Sequence, residues 1–152
     1  MKTNLTILFS ILTFIAAAQV ENGTRRRNFN NENFIALRQF DPVSYFKKQP
    51  QRGSEKIQYD YKGIVYYFSS QENLDTFKKS PDKFEPAYGG WCAYTMATTG
   101  QRAKIDPTSY RIIDGKLYLF YNFSGDNRLT KWTTSPNRKS LVSMADKKWK
   151  LR

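Results

Sequence analysis

Two tight-turn signatures constrain this chain more than anything else in it. The run Ile57 to Tyr61 meets Ile64 to Phe68 across Lys62-Gly63, and Tyr110 to Ile113 meets Lys116 to Tyr121 across Asp114-Gly115. Both pair β-branched and aromatic residues around a two-residue link ending in glycine, the pattern of a β-hairpin. A lone hairpin is marginal in water, so each needs a partner sheet or covering helices. Helix signals supply the cover. Ser69 and Glu72 form a capping box ahead of Leu74 and Phe77, and Ser80-Pro81 stops that helix. A second helix centres on Leu129 and Trp132 and stops at Ser135-Pro136; a third runs from about Asn137 through Leu141, Met144 and Ala145 to Trp149.

The two hairpin regions repeat one another. Asp41-Pro42-Val43-Ser44-Tyr45 returns as Asp106-Pro107-Thr108-Ser109-Tyr110, and Phe68-Ser69, Leu74, Phe77 and Ser80-Pro81 return as Phe123-Ser124, Leu129, Trp132 and Ser135-Pro136. Each unit is an Asp-Pro turn, a hairpin and a helix closed by Ser-Pro. In the first, Asp41 caps a short helix with Pro42 at its first position. The expected fold class is α+β: two β-hairpins form a small antiparallel sheet packed with short helices, in pseudo-duplicated hairpin-helix units. Tyr88-Gly89-Gly90-Trp91-Cys92-Ala93-Tyr94-Thr95-Met96 lies between them, with a helix expected from about Trp91 to Thr98 and closed by Gly100.

The N-terminus reads as an export signal over residues 1–18: Lys2, an apolar run from Leu5 to Ile15, then Ala16-Ala17-Ala18. The run is too short for a permanent span. Residues 19–33 are polar, rich in Asn and Arg, without apolar periodicity, and read as a flexible arm. Residues 34–152 then form a single domain, and the expected location is periplasmic or secreted. Asn22-Gly23-Thr24 and Asn122-Phe123-Ser124 fit N-glycosylation acceptors in a eukaryotic host.

Lysine and arginine total 25 against 13 acids, a net +12. For an exported chain this charge points to anionic envelope or membrane surfaces rather than nucleic acid, through Arg25, Arg26, Arg27, Lys147, Lys148 and Lys150 at the two ends; charge held for solubility is the plainer reading.

Taken together, Phe40-Asp41-Pro42-Val43-Ser44-Tyr45-Phe46, Tyr61-Lys62-Gly63 with Tyr66-Tyr67-Phe68-Ser69-Ser70, Phe77 with Ser80-Pro81-Asp82-Lys83-Phe84, Tyr88-Gly89-Gly90-Trp91-Cys92-Ala93-Tyr94 and Ile113-Asp114-Gly115-Lys116-Leu117-Tyr118-Leu119 resemble the exported YHS-domain proteins. The resemblance implies a small α+β domain and no established activity. In a related branch of short YHS modules, it implies soft-metal binding by cysteines whose positions fall here on Ser44, Ser69 and Asn73. Hydroxyls and an amide are poor ligands for a soft ion. Ser69 has a helix-capping role to play instead.

The chain contains no histidine, which removes Cys–His and Ser–His nucleophilic pairs and histidine metal sites. Asp106 and Asp114 sit in Asp-Pro and Asp-Gly contexts and form turns first. What is left for chemistry is Cys92, the single cysteine. It reads as a small buried hydrophobe beside glycines that admit close backbone approach. Two other readings stand beside that one: Cys92 and Met96, four apart, could present two soft sulfurs to Cu(I) or Ag(I), or Cys92 near a helix start could serve as a redox thiol. Tyr88, Trp91, Cys92 and Tyr94 are the candidate ligand-binding residues, suited to a flat or sugar-like ligand. The leading expectation is a non-catalytic extracytoplasmic binding module with no cofactor; soft-metal handling through Cys92 and Met96, with Cu(I) as cofactor, and a thiol-dependent redox protein are the alternatives.

Overall fold

The computed structural model describes residues 19–150; the export-signal reading of residues 1–18 falls outside them. Residues 19–28 are helical (α1), followed by β1 (Asn31–Glu32) and β2 (Ile35–Ala36). A 3-10 turn at Ser44–Lys47 precedes the first hairpin, β3 (Ser54–Tyr61) and β4 (Ile64–Phe68), which is covered by α2 (Gln71–Lys79) and the short α3 (Pro81–Phe84). After α4 (Ala93–Thr99) come the second hairpin, β5 (Asp106–Ile113) and β6 (Lys116–Phe120), a small hairpin of β7 (Asn122–Phe123) and β8 (Asp126–Asn127), α5 (Arg128–Thr134) and α6 (Leu141–Trp149).

The class is α+β, and the duplication extends to the register. Ser54↔Phe68, Gln58↔Tyr67, Tyr59↔Tyr66 and Tyr61↔Ile64 in the first hairpin become Asp106↔Phe120, Tyr110↔Leu119, Arg111↔Tyr118 and Ile113↔Lys116 in the second, at one constant displacement. Both first strands carry a bulge at the same place, between Ser54 and Gln58 and between Asp106 and Tyr110. The turns match as well, with Lys62 (φ 51°) and Gly63 (φ 81°) answered by Asp114 (φ 49°) and Gly115 (φ 73°), the doubly positive geometry of a two-residue hairpin turn.

The hairpins do not lie side by side in one sheet. The four-stranded sheet has the order β1-β2-β4-β3, with β2 parallel to β4, while β5 and β6 form a sheet of their own. Segment 86–92 takes beside β6 the place that β2 takes beside β4, through the parallel bridges Pro86↔Leu117 and Cys92↔Leu119. Asp106-Pro107 also proves not to be the counterpart of Asp41-Pro42, nor Phe123 that of Phe68, whose place in the register Phe120 takes. Asp106-Pro107 opens β5, where Ser54-Glu55 opens β3.

The core falls into two clusters, the first shared by both hairpins through Leu117 and Leu119, and in each unit the helix presents one large ring to its hairpin. In the first, Phe77 is ringed by Tyr66, Phe68, Tyr59, Tyr61 and Phe84 at centroid distances of 5.0, 5.2, 6.3, 6.0 and 6.3 Å. In the second, Trp132 takes Tyr118 and Phe120 at 6.2 and 5.4 Å, the counterparts of Tyr66 and Phe68. Rings meeting edge to face add roughly 0.5–1.5 kcal/mol per pair beyond their buried area.

The expected flexible arm is largely a helix, although no apolar stripe announces it. Guanidinium groups reaching backbone carbonyls dock it instead: Arg25 Nε donates to Lys62 O at 3.2 Å and Arg26 Nε to Gly63 O at 2.9 Å, on the tip of the first hairpin. Arg102 ties Arg27 O and Asn28 Oδ1 from the other side, at 3.1 and 2.6 Å. Among the described residues no helix is long and apolar enough to cross a membrane.

Candidate functional site

The three positions that the family resemblance marks as metal ligands converge on one carboxylate. Asp41 is fully buried, and its Oδ1 accepts the backbone N–H of Val43 at 2.8 Å and of Ser44 at 3.3 Å, which caps the 3-10 turn. Its Oδ2 accepts Ser69 N at 2.9 Å, Ser69 Oγ at 2.7 Å and Asn73 Nδ2 at 2.6 Å. Ser44 Oγ donates to Asp41 O at 2.6 Å and accepts Gln51 N at 3.0 Å. A hydrogen-bond network centred on Asp41 thus stands where thiolates would hold a soft ion, with Asn73 Oδ1 its one buried atom lacking a partner among the described residues. Ser69, expected to cap the helix, is committed to Asp41, and Ser70 Oγ caps α2 by accepting Asn73 N at 3.2 Å. Sequence reasoning found the positions but not the carboxylate that gathers them.

The Tyr88 to Met96 stretch separates into distinct surroundings. Tyr88 (φ 56°), Gly89 (φ 60°) and Gly90 (φ 83°) form a left-handed run, a conformation costly for tyrosine. The glycines admit the end of α1: Asn30 N donates to Gly89 O at 2.8 Å, and a Cβ added at Gly89 would lie 3.1 Å from Phe29 Cα. Trp91 is half-buried and donates Nε1–H to Asn28 O at 2.7 Å. Tyr94, also half-buried, packs against both cores.

Cys92 and Met96 are both 0% exposed. Cys92 packs in the first core and Met96 in the second, so the two sulfurs do not share a solvent-facing surface. Trp91 and Cys92 lie outside α4, which begins at Ala93. Arg128 lies near the thiol. Burial works against that guanidinium's charge, but its bond to Asp126 at 2.9 Å and the nearby Cys92 sulfur outweigh burial and raise its pKa. Among the described residues no group of three or more Cys, Asp or Glu side chains could hold a metal ion.

Ser44, Ser69 and Asn73 border a small cleft of about 230 Å³, and of the candidate ligand-binding residues Tyr88 lines a larger one. That cleft, about 340 Å³, lies between α1, the Gly-Gly segment, β6 and α6. Glu85, 6% exposed, holds one wall, accepting Arg25 Nη2 at 2.5 Å and Tyr66 Oη at 2.7 Å. Opposite, Tyr88 Oη donates to Asp146 Oδ1 at 2.9 Å, and its ring meets Tyr118 and Trp149 at 5.8 and 6.3 Å. Burial raises the pKa of Tyr88 first, with the Asp146 bond adding to it. Lys116 donates to Asp82 O at 2.9 Å, and burial lowers its pKa. Glu85, Lys116, Asp146 and Trp149 were missed in the sequence because they come from distant segments, and only the fold brings them together.

The ends are not free charge. Besides the Arg25 and Arg26 contacts, Lys148 Nζ donates to Ala97 O and Thr98 O, both at 2.7 Å, closing the C-terminal end of α4. Lys147 and Lys150 are exposed.

Comparison with protein-family models matches residues 41–88 to the YHS domain. The match takes in the Asp41 network and the first hairpin-helix unit and ends at Tyr88; the second unit lies beyond it. No curated protein and no solved structure matches the chain.

Proposed function

We propose that this YHS-domain protein acts outside the cytoplasm as a non-catalytic binding module, taking a small, neutral, hydroxyl-rich ligand in the Tyr88 cleft. One observation carries the reading. A buried carboxylate, Glu85, and a conformationally strained tyrosine, Tyr88, face one polar cleft walled by Phe29 and Trp149. Strained residues persist where the surrounding structure over-determines them, and they cluster at ligand clamps. The cleft's charges balance, Arg25 and Lys116 against Glu85 and Asp146, which favours an uncharged ligand with many hydroxyls to serve as both donors and acceptors. Its flat rings suit the apolar face of a sugar.

The absence of histidine and the burial of Cys92 within the core support a non-catalytic role over a thiol enzyme. Export rests on the apolar run and small-residue site at the N-terminus. Contact with anionic envelope surfaces would run through Lys147 and Lys150, since Arg25, Arg26 and Lys148 already serve the fold.

The test is an NMR titration with glucose and N-acetylglucosamine, alongside acetate and methylammonium. The expected result is saturable shifts at the Trp149 indole and the Lys116 amide with a sugar, weakened by Asp146→Ala. Shifts with the charged probes alone, or with none of the four, would overturn the assignment.

A further inference from the structure

The duplication permits a comparison inside the molecule. In the first unit the space around Phe77, between the outer hairpin strand and the helix, is filled by Tyr59, Tyr61 and Phe84. Carrying the hairpin register across, Tyr59 and Tyr61 correspond to Arg111 and Ile113. Carrying the helix across by the Phe77-to-Trp132 and Ser80-Pro81-to-Ser135-Pro136 correspondence, Phe84 becomes Lys139, and its neighbour Lys83 becomes Arg138. Three rings have given way to two cations and an isoleucine, while the inner pair, Tyr118 and Phe120, still packs on Trp132. The space is open in the second unit. A cleft of about 450 Å³ lies there, lined by Arg111, Ile113, Trp132, Arg138, Lys139 and Val142 among others, with Asp114 as its one acidic group.

Exposed cations ordinarily form a solvated face, and a surface arginine alone would carry no argument. Here the equivalent space in the same chain is filled by the half-buried rings of Tyr59 and Tyr61 and the buried ring of Phe84, and leaving it open forfeits the contacts those rings would make. Arg111, Arg138 and Lys139 are exposed, and among the described residues none of the three forms an ion pair. A hollow shaped for rings, with an apolar floor and three unpaired cations against one carboxylate, complements a ring that bears negative charge.

We infer that the cleft between β5 and the α5–α6 connection is a binding site for a small aromatic anion, an aryl phosphate, sulfate or carboxylate. Its ring lies against Trp132, Ile113 and Val142, where the first unit keeps its own tyrosines, and its anionic group meets Arg111, Arg138 and Lys139. This site is separate from the Tyr88 cleft, and the two report through different tryptophans, so either can fail alone.

The experiment is titration of the whole protein with 1-naphthyl phosphate at low salt, followed by calorimetry and by the Trp132 indole NMR signal, with inorganic phosphate and 1-naphthol as separate arms. The expected result is one-to-one binding of the aryl phosphate about tenfold or more tighter than either partial probe, as joint use of ring and charge requires. The double variant Arg111→Tyr with Ile113→Tyr, which refills the space as the first unit does, should abolish binding. Should that variant not fold, the surface pair Arg138→Glu and Lys139→Glu should weaken binding about tenfold or more. Equal binding of inorganic phosphate or of 1-naphthol, retention of affinity in both variants, or no binding at all would overturn the inference.

Discussion

Asn73 Nδ2 donates to Asp41 Oδ2 at 2.6 Å, joining the first turn of α2 to a turn 32 residues earlier in the chain. The same oxygen accepts both the backbone and the side chain of Ser69, so one buried carboxylate ties turn, strand end and helix together. Asp41→Ala should destabilise the protein by about 3 kcal/mol or more, because the donors left behind are shielded from water. Asn73→Ala should cost less, about 1–2 kcal/mol, since it removes one donor and leaves the carboxylate its other partners. Urea denaturation of both variants tests the order; equal, small effects would mean that the network contributes little.

Alkali should unfold this protein sooner than acid chemistry alone suggests. Tyr45, Tyr66, Tyr88 and Tyr118 all have pKa values raised above the usual 10.0, in each case first by burial. A phenol raised in the folded state contributes stability that is intact below its unfolded pKa and lost as pH climbs through its folded value. Lys116 acts with the opposite sign. Its pKa is lowered from 10.5, so its buried charge costs the fold at neutral pH and the cost fades as pH rises. Four phenols outweigh one lysine, and thermal stability should fall steeply above about pH 10. Flat stability across that window, or phenol ionisation completed before unfolding, would contradict this.

The hairpins and the duplication were legible because a two-residue turn ending in glycine between aromatic runs leaves few alternatives, as Lys62-Gly63 and Asp114-Gly115 show. The sheet partners were not. β1 and β2 are two residues each, and β2 joins β4 in parallel, a long-range pairing with no local signature. The small hairpin across Ser124-Gly125 has strands of two residues each, too short for a period to show. The α1 helix escaped notice because it docks by arginine-to-carbonyl bonds, which leave no apolar period. At the site, Tyr88 was identified by its neighbours in sequence, whereas Glu85 and Asp146 acquire meaning only from the approach of α1 and α6.

Gly89 should be close to irreplaceable. A side chain there meets Phe29 and must adopt φ 60°. Gly89→Ala should cost about 1–2 kcal/mol and loosen α1 from the Gly-Gly segment. Trypsin gives a direct reading, since the wild-type protein should resist cleavage after Arg25 and Arg26 while the variant is cut quickly at both. Equal cleavage rates would show that α1 is not held there.

Binding to anionic surfaces should depend on the cations that the fold leaves free. Co-sedimentation with phosphatidylglycerol vesicles should fall steeply between low and physiological salt, and Lys147→Ala with Lys150→Ala should weaken it severalfold. Binding that ignores salt, or none at low salt, would reduce the basic character to a solubility feature.

The proposed function assigns recognition to the clefts and leaves Cys92 as packing. Titrating the native protein with a chromogenic thiol reagent, before and after denaturation, tests that claim most directly. Cys92, 0% exposed, should stay unreacted in the native protein and react with one equivalent after unfolding. Fast stoichiometric reaction of the native protein would contradict the claim and turn attention to the pair of Cys92 and Arg128.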